Sequence, residues 1–341
     1  MRIANLIGCA LLASCGADSG GVTGPPPDRH EELVLETIPY QALGGTRVTF
    51  RRDDQQKQGV ISLDGGAQSG AITYSVFGTW VAQSPTSGKL AYAGFTPQGN
   101  NERAVDIYIR DWDAATGIAL GGPGRGRDTP SWNAAGTRII YGESTTEAIS
   151  LTKDRIVSQS PIPGATDRQV LWQASTRCEF AWSPRQSATN DLVFLYSSDL
   201  APNATDCLTV PHIARATPGG LAEILYKGAG PALYSPTWSP SGAEIAFFET
   251  LSFSQTGFAN VALQRMAADG SNVRTIATLK HYGGTGALDL SMCWSGDGSR
   301  IIFNVFDVAG ASHIFAVTVA DGNVTQITSA PGVFDSFVSC S

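Results

Sequence analysis

The sequence predicts an all-β fold: a six-bladed β-propeller with four-stranded antiparallel blades, closed by pairing of the N- and C-terminal strands. Three observations lead to this prediction. A tryptophan recurs roughly every 50 residues. A turn and then an aliphatic and aromatic run follow each of these tryptophans. The two ends of the chain carry complementary parts of one further repeat.

The repeat unit is clearest in Pro130–Tyr141 and Pro236–Phe247, where a short strand ends in Trp and a turn leads into a second strand. Third and fourth strands follow, as in Asn260–Met266 and Arg274–Leu279. Four short strands in a repeat of this length are typical of a propeller blade. Spacings of 52, 50, 56 and 56 residues separate the aligned tryptophans, which are Trp80, Trp132, Trp182, Trp238 and Trp294.

The chain ends supply the sixth blade. Thr46–Phe50, Gly59–Gly65 and Ala71–Val76 match a second, third and fourth strand, but no first strand precedes them. Asp335–Ser341 matches a first strand and nothing more, with Cys340 in place of the tryptophan. Pairing the two ends would complete a blade and remove an open sheet edge.

The motif Trp-Ser-Pro-Ser-Gly-Ala-Glu-Ile-Ala-Phe at Trp238–Phe247 resembles the repeat of TolB-type, WD40-like propellers of the bacterial envelope. The resemblance covers roughly residues 44–341. It implies a TolB-like propeller in the cell envelope. Only about 30 residues separate Cys15 from the first blade strand, so we expect the family's N-terminal α/β domain to be absent.

Residues 1–14 are predicted to be a lipoprotein signal peptide. The apolar run Ile3–Ala13 follows Arg2 and is too short to span a bilayer as a helix. It ends in Leu12-Ala13-Ser14-Cys15, which resembles the lipobox of bacterial lipoproteins, so we expect Cys15 to be lipidated. The alternative is an ordinary signal peptide with an incidental cysteine.

The remaining chain divides into a tether, residues 15–43, and the propeller, residues 44–341. Acyl chains on Cys15 would anchor the protein to a membrane. Gly16 rather than Asp after this cysteine favours an outer-membrane lipoprotein that faces the periplasm or the cell surface.

The composition excludes some partners. The formal net charge is −7 and no basic patch stands out in the sequence to neutralise phosphates, so we expect no nucleic-acid partner. The sequence has no Cys-x-x-Cys motif, so we predict neither a metal site nor a cofactor.

Four cysteines remain after the signal peptide and Cys15 are set aside, and three pairings are possible. Their places in the repeat favour Cys178–Cys207 within one blade and Cys293–Cys340 between neighbouring blades. The second bond would fasten the last strand of the chain. The alternative is that all four are buried thiols.

Four carboxylates lie three to five residues before the aligned tryptophan or Cys340, namely Asp128, Glu179, Asp289 and Asp335. In a propeller these positions would approach one mouth of the central channel. Such a cluster could attract a cation, a basic peptide or a sugar. The alternative is that these side chains cap loops at the strand starts.

The leading functional hypothesis is a non-catalytic envelope lipoprotein whose propeller binds a protein or glycan. The second is an extracytoplasmic enzyme that acts on a polysaccharide or peptide, with acidic residues at the central channel. A purely structural lipoprotein is the third. No catalytic motif stands out in the sequence, so we assign no catalytic residue.

Overall fold

The computed structural model describes residues 36–54, 57–64, 66–72, 79–97, 103–112, 114, 117–121, 126–145, 153–198, 210–254, 258–282, 290–307 and 311–341. The predicted signal peptide, Cys15 and most of the tether lie outside these ranges. Within them, no helix is long and apolar enough to cross a membrane.

The described chain is all-β, and four of its sheets are four-stranded and antiparallel. The first contains β4 (Thr79–Gln83), β5 (Lys89–Pro97), β6 (Arg103–Asp111) and β7 (Ile118–Ala119). The second contains β8 (Arg127–Trp132), β9 (Ile139–Glu143), β10 (Arg155–Gln159) and β11 (Gln169–Gln173). The third contains β12 (Phe180–Gln186), β13 (Leu192–Ser197), β14 (His212–Ala216) and β15 (Glu223–Tyr226). The fourth contains β16 (Ala232–Trp238), β17 (Glu244–Phe253), β18 (Phe258–Ala267) and β19 (Arg274–Tyr282).

The fifth sheet has eight strands and is mixed. One half contains β20 (Met292–Trp294), β21 (Arg300–Phe306), β22 (Ser312–Thr318) and β23 (Val324–Gln326). The other half contains β24 (Val333–Cys340), β1 (Val48–Asp54), β2 (Lys57–Asp64) and β3 (Ala67–Ile72). Each half is antiparallel. The sequence predicted two separate four-stranded sheets here, but the structure joins them into one. A single parallel pair, Ser312 with Phe334, joins them, and the Ser312 hydroxyl donates to the backbone carbonyl of Asp335.

The two ends of the chain are paired, as the sequence predicted. Strand β1 runs antiparallel to β24 from Asp54 opposite Val333 to Val48 opposite Cys340. The packed region also begins earlier than residue 44. A 3-10 helix, Tyr40–Leu43, precedes β1, and Leu43 is buried in the same hydrophobic cluster as Val48.

The four four-stranded sheets and the two halves of the eight-stranded sheet make six units of four strands. We call β4, β8, β12, β16, β20 and β24 the first strands of these units, since each occupies the position that the repeat assigns to its first strand. Each of them contacts the next, and β24 contacts both β20 and β4. We call the residue of each first strand that lies opposite the start of its second strand the anchor position. Backbone pairing places six residues there, namely Gln83, Trp132, Gln186, Trp238, Trp294 and Cys340.

Two of the tryptophans that the sequence alignment placed in the repeat register were aligned wrongly. Trp80 lies three residues before the anchor Gln83, and Trp182 lies four residues before Gln186. The turn determines the register, because the residue after each anchor donates its N–H across the turn. Ser84 donates to the carbonyl of Lys89 at 2.9 Å, just as Ser239 does to that of Glu244 at 2.9 Å. The indole itself does not define the repeat.

A backbone bulge recurs three residues before the anchor. None of the six residues at this position is glycine, yet five of them have a positive φ of 48° to 63°. A left-handed residue with a side chain costs roughly 1 kcal/mol or more, so the surrounding structure must hold it in place. The pairing with the second strand shifts at each of these bulges, which lie at Trp80, Thr129, Ser183, Ser235 and Phe337.

Hydrophobic clusters between neighbouring sheets form the core. Each sheet contributes alternate residues of its second and third strands, as Phe248 and Phe303 illustrate with their edge-to-face contact at 5.8 Å. Ile140 and Phe194 belong to one such cluster between the second and third sheets. Burial of each such side chain contributes about 1.5–3 kcal/mol.

The first strands are also joined directly at the anchor positions. The indole N–H of Trp132 donates to the carbonyl of Ala82 at 3.0 Å, and that of Trp294 donates to the carbonyl of Thr237 at 3.3 Å. In both cases the acceptor lies one residue before the anchor of the preceding sheet. Cys340 replaces the tryptophan in β24 and forms a disulfide with Cys293, which holds the equivalent acceptor position. A covalent bond thus takes the place of the indole hydrogen bond.

Replacing both Cys293 and Cys340 by serine should lower the free energy of unfolding by about 2–4 kcal/mol, because the bond closes a loop whose ends are 47 residues apart. Chemical denaturation under non-reducing conditions measures this. The matched control is Trp132→Phe, which removes a hydrogen bond at the equivalent junction and should cost about 1 kcal/mol. A smaller loss for the serine variant than for the control would contradict this role.

Candidate functional site

The candidate carboxylates all lie toward one end of the sheets. In an antiparallel sheet, the starts of the first and third strands share an edge with the ends of the second and fourth strands. We call this edge the loop end, and the opposite edge, with tight turns such as 239–243, the turn end. Asp128 and Asp335 lie on β8 and β24 toward the loop end, and Glu179 directly precedes β12. Asp289 lies outside the described residues.

Asp335 is fully buried in a charged hydrogen-bond cluster. Its two carboxylate oxygens accept from Nε and Nη2 of Arg52, each at 2.7 Å, and neither side chain is exposed. Thr328 donates its hydroxyl to Asp335 at 2.6 Å. Glu36 accepts a further bond from Arg52 Nη2 at 2.7 Å. This bidentate geometry is the strongest form of an arginine–carboxylate pair.

Burial and charge oppose each other within this pair. Burial lowers the pKa of Arg52, but the hydrogen bonds and charges of Asp335 and Glu36 outweigh it and raise the pKa above its usual value. Burial raises the pKa of the Asp335 carboxyl, and Arg52 counteracts that rise. The two 2.7 Å bonds support the ionised form of both groups. The carboxylate is therefore already neutralised within the fold.

Asp128 is paired with a buried lysine. Its Oδ2 lies 2.9 Å from Nζ of Lys153, whose side chain is 1% exposed, and the Thr129 hydroxyl donates to Oδ1 at 3.3 Å. Burial raises the pKa of the Asp128 carboxyl, and Lys153 opposes the rise. The carbonyl of Lys153 accepts the N–H of Ala181 at 2.8 Å, which connects this pair to the neighbouring sheet.

Glu179 closes the loop that leads into β12. It accepts the hydroxyl of Ser175 at 2.8 Å, the backbone N–H of Ser175, the N–H of Thr176 at 3.2 Å and the hydroxyl of Tyr196 at 2.9 Å. Burial raises the pKa of this carboxyl, but these donors outweigh it, so that the net shift is downward. The contacts are those expected of a loop cap, the alternative interpretation of the sequence.

The three carboxylates therefore occupy different registers and have different partners. Asp335 lies five residues before its anchor, Asp128 four and Glu179 seven. The contacts of the described residues do not join any of the three to another. A shared acidic channel mouth remains a prediction, and the structure gives each described member an internal partner.

A buried ion pair that we did not predict from the sequence recurs in two sheets. Arg52 on β1 lies directly opposite Asp335 on β24, and Glu143 on β9 lies directly opposite Arg127 on β8. The two pairs occupy the same positions relative to their anchors, with the charges exchanged. In the second sheet the distance from Arg127 Nε to Glu143 is 3.3 Å.

Further charges surround the Arg127–Glu143 pair. Arg127 Nη1 lies 2.9 Å from Asp106 in the preceding sheet, and Arg168 Nη2 lies 2.6 Å from Glu143. Burial raises the pKa of the Asp106 carboxyl although Arg127 opposes the rise. In the fourth sheet Glu249 holds the position of Glu143 and accepts the N–H groups of 229 and 230 at 2.6 and 2.9 Å. A charged residue four places after the second-strand residue that pairs with the anchor was the signal in the sequence.

The chemical capacity of the loop end follows from these contacts. A general acid or base must exchange a proton with a substrate, so it must be within hydrogen-bond reach of one. Asp128, Glu179 and Asp335 instead accept hydrogen bonds or ion pairs from the protein itself. Among the residues that the structure describes, no group of three or more His, Cys, Asp or Glu side chains could hold a metal ion.

Removal of one partner of the Arg52–Asp335 pair should be severe. Arg52→Met or Asp335→Leu should each lower the free energy of unfolding by about 3–5 kcal/mol, because the first leaves the buried Asp335 carboxylate without its cation and the second leaves the buried Arg52 with Glu36 as its remaining described partner. The double variant should cost less than either single change, since no orphan charge remains at the pair. Urea denaturation measures all three. The control is Arg215→Met, which breaks an exposed pair with Glu223 (2.8 Å) and should cost about 1 kcal/mol or less. Additive losses in the double variant would contradict the assignment.

Comparison with known proteins bears on the fold. No protein-family model matches the chain, and neither does any curated protein. Among solved structures, TolB from Acinetobacter baumannii matches with a TM-score of 0.61 at 17% identity, over 88% of this chain and 69% of that one. A chain of a nidogen/laminin complex matches with a TM-score of 0.56 at 10% identity, over 87% of this chain and 98% of that one. A putative TolB from Agrobacterium tumefaciens matches with a TM-score of 0.50 at 17% identity, over 83% and 99%. At these identities the likeness concerns the fold alone, and the chain has a TolB-like β-propeller fold.

Proposed function

We propose that this protein is a non-catalytic lipoprotein of the bacterial cell envelope, and that its propeller is a rigid scaffold which binds a protein or glycan partner. The observation that carries the proposal is the internal pairing of Asp128, Glu179 and Asp335. Acid–base chemistry on a polysaccharide needs two carboxylates free to face the substrate at a set separation. Side chains that are engaged by Lys153, Tyr196 and Arg52 serve the fold instead.

We further propose that the sheets are the six blades of a closed propeller, in which the eight-stranded sheet supplies two blades. The order of contacts among the first strands supports this, because each touches the next and β24 touches both β20 and β4. A closed ring presents its loops on a fixed frame, which suits recognition.

The loop end offers a surface for a partner. Strands β17 and β18 continue past the end of β16, whose last pair in this direction is Ala232 with Thr250. On this extension Leu251 is 48% exposed and Phe253 is 54% exposed. Large apolar side chains exposed together mark contact surfaces in soluble proteins.

Two features support a location outside the cytoplasm. The Cys293–Cys340 bond is of a kind that persists in oxidising compartments, and Cys178 also takes part in a disulfide. Cys207, the predicted partner of Cys178, lies outside the described residues. The second feature is the lipobox-like sequence that ends at Cys15.

The partner is testable by cross-linking and pull-down of the full-length protein from its own envelope fraction. The test variant is Leu251→Ser with Phe253→Ser, and the matched control is Ile162→Ser with Leu221→Ser, whose residues are exposed between strands at the turn end. We expect the test variant to lose the partner and the control to keep it, because only the former alters the β17–β18 extension. Equal retention by both variants would contradict a partner at this extension. Hydrolysis of envelope polysaccharide or peptide by the purified protein would contradict the non-catalytic assignment.

The anchor has its own test. Cys15→Ser should abolish incorporation of labelled fatty acid, because serine has no thiol to accept the diacylglyceryl group. It should also move the protein from the membrane fraction to the soluble fraction. Unchanged labelling in the variant would show that Cys15 is not the modified residue.

A further inference from the structure

Arg185 occupies an unusual position in the first strands. It lies one residue before the anchor Gln186 on β12. The equivalent residue is small and uncharged in every other first strand, namely Ala82, Ser131, Thr237, Cys293 and Ser339. One strand thus carries a guanidinium where the others carry at most a hydroxyl or a sulfur atom.

The guanidinium is held where β8 and β12 meet. Its Nη1 donates to the carbonyl of Pro184 at 2.9 Å, and the Ser131 hydroxyl of β8 donates to the same carbonyl at 2.9 Å. The side chain is half-buried, so part of it still reaches solvent. A guanidinium has five N–H donors in a planar fork, and the contacts of the described residues account for one of them.

Arg185 differs in charge balance from the other buried arginines. Arg52 and Arg127 form ion pairs with carboxylates at 2.7 and 2.9 Å. No ion pair among the described residues includes Arg185. Burial lowers the pKa of its guanidinium to about 10, and no carboxylate counteracts the shift. The group is still ionised at neutral pH, so it is a partly desolvated cation without a counter-charge among the residues that the structure describes.

A cation in this setting weakens the folded state, because water is removed from the charge and the described contacts replace it with a single carbonyl, that of Pro184. Residues that lower the stability of the fold and are not needed for its packing are typical of functional sites. Packing does not require the arginine, since five neighbouring strands have small residues at this position. A ligand of opposite charge would supply the missing partner.

We propose that Arg185 is the centre of an anion-binding site at the junction of β8 and β12, and that the ligand group is a carboxylate. The arginine fork matches the two oxygens of a carboxylate, and the bond to Pro184 orients the fork before a ligand arrives. The carboxylate belongs either to a small organic acid or to a protein chain, through its C-terminus or an acidic side chain. This site does not depend on the partner surface at the β17–β18 extension.

The test measures binding to the folded, disulfide-bonded protein by calorimetry and by thermal melting. The probes are acetate, succinate, inorganic phosphate, and one short peptide with either a free or an amidated C-terminus, with sodium chloride at matched ionic strength as reference. The variants are Arg185→Gln and Arg185→Lys. The matched control is Arg274→Gln, which alters an exposed arginine on β19.

We expect at least one carboxylate probe to bind and to raise the melting temperature. Arg185→Gln should weaken that binding about 10- to 100-fold, as expected for loss of a charge-assisted hydrogen bond. Arg185→Lys should weaken it less, since it keeps the charge but not the fork, and Arg274→Gln should leave it unchanged. Binding of the free but not the amidated peptide would identify a chain terminus as the source, and binding of succinate alone a small acid.

Stability without ligand provides the second measurement. Arg185→Gln should melt at or above the temperature of the unaltered protein, because it removes a half-buried charge that has no carboxylate partner among the described residues. A lower melting temperature would show that the arginine stabilises the fold and would overturn the proposal. Failure of every probe to bind, or equal binding by Arg185→Gln, would overturn it as well.

Discussion

The structure depends on the pairing of β24 with β1, which joins the last strand of the chain to the first. Arg52 and Asp335 lie opposite each other in this pair although 283 residues separate them in the sequence. The disulfide from Cys340 to Cys293 fastens the same strand to its neighbour. A non-local pairing of this kind carries a loop-closure cost in entropy, and a bidentate ion pair and a covalent bond both offset that cost. Strands β4 and β16 of the four-stranded sheets contact β24 and β20 of this eight-stranded sheet.

The same logic explains how the molecule distributes its polar groups. Five of the six first strands bend at a left-handed residue, and four pairs of neighbouring first strands are joined near the anchor position by an indole hydrogen bond, a serine hydroxyl or a disulfide. At the loop end, buried ion pairs join the first and second strands of two sheets. The arginine lies on the second strand in one pair and on the first strand in the other. These polar groups find their partners within the protein. Arg185 has no carboxylate partner among the described residues, and this is the reason for the proposal of a binding site at the β8–β12 junction.

Much of the fold could be predicted from the sequence, since the alternation of turn and strand repeats and the two chain ends are complementary. The tryptophan register was only partly correct, because the indoles of Trp80 and Trp182 resemble the repeat residue although the turns place Gln83 and Gln186 there. The carboxylates could be identified as strand-start residues, but their partners could not. Arg52, Lys153 and Tyr196 come from other strands or loops, and only the pairing register brings them into contact. The eight-stranded sheet rests on a single parallel pair, which leaves no periodic signal.

Hydrogen exchange of the native protein, followed strand by strand, tests the dependence on β24–β1 pairing most directly. If this pairing holds the structure together, the amides of β1 and β24 should exchange only through global unfolding. Their free energy of opening should then equal that of the amides in β8, β9, β16 and β17. Exchange in β1 and β24 that is orders of magnitude faster, while the other sheets stay protected, would show that the closure is a peripheral contact and would contradict this account.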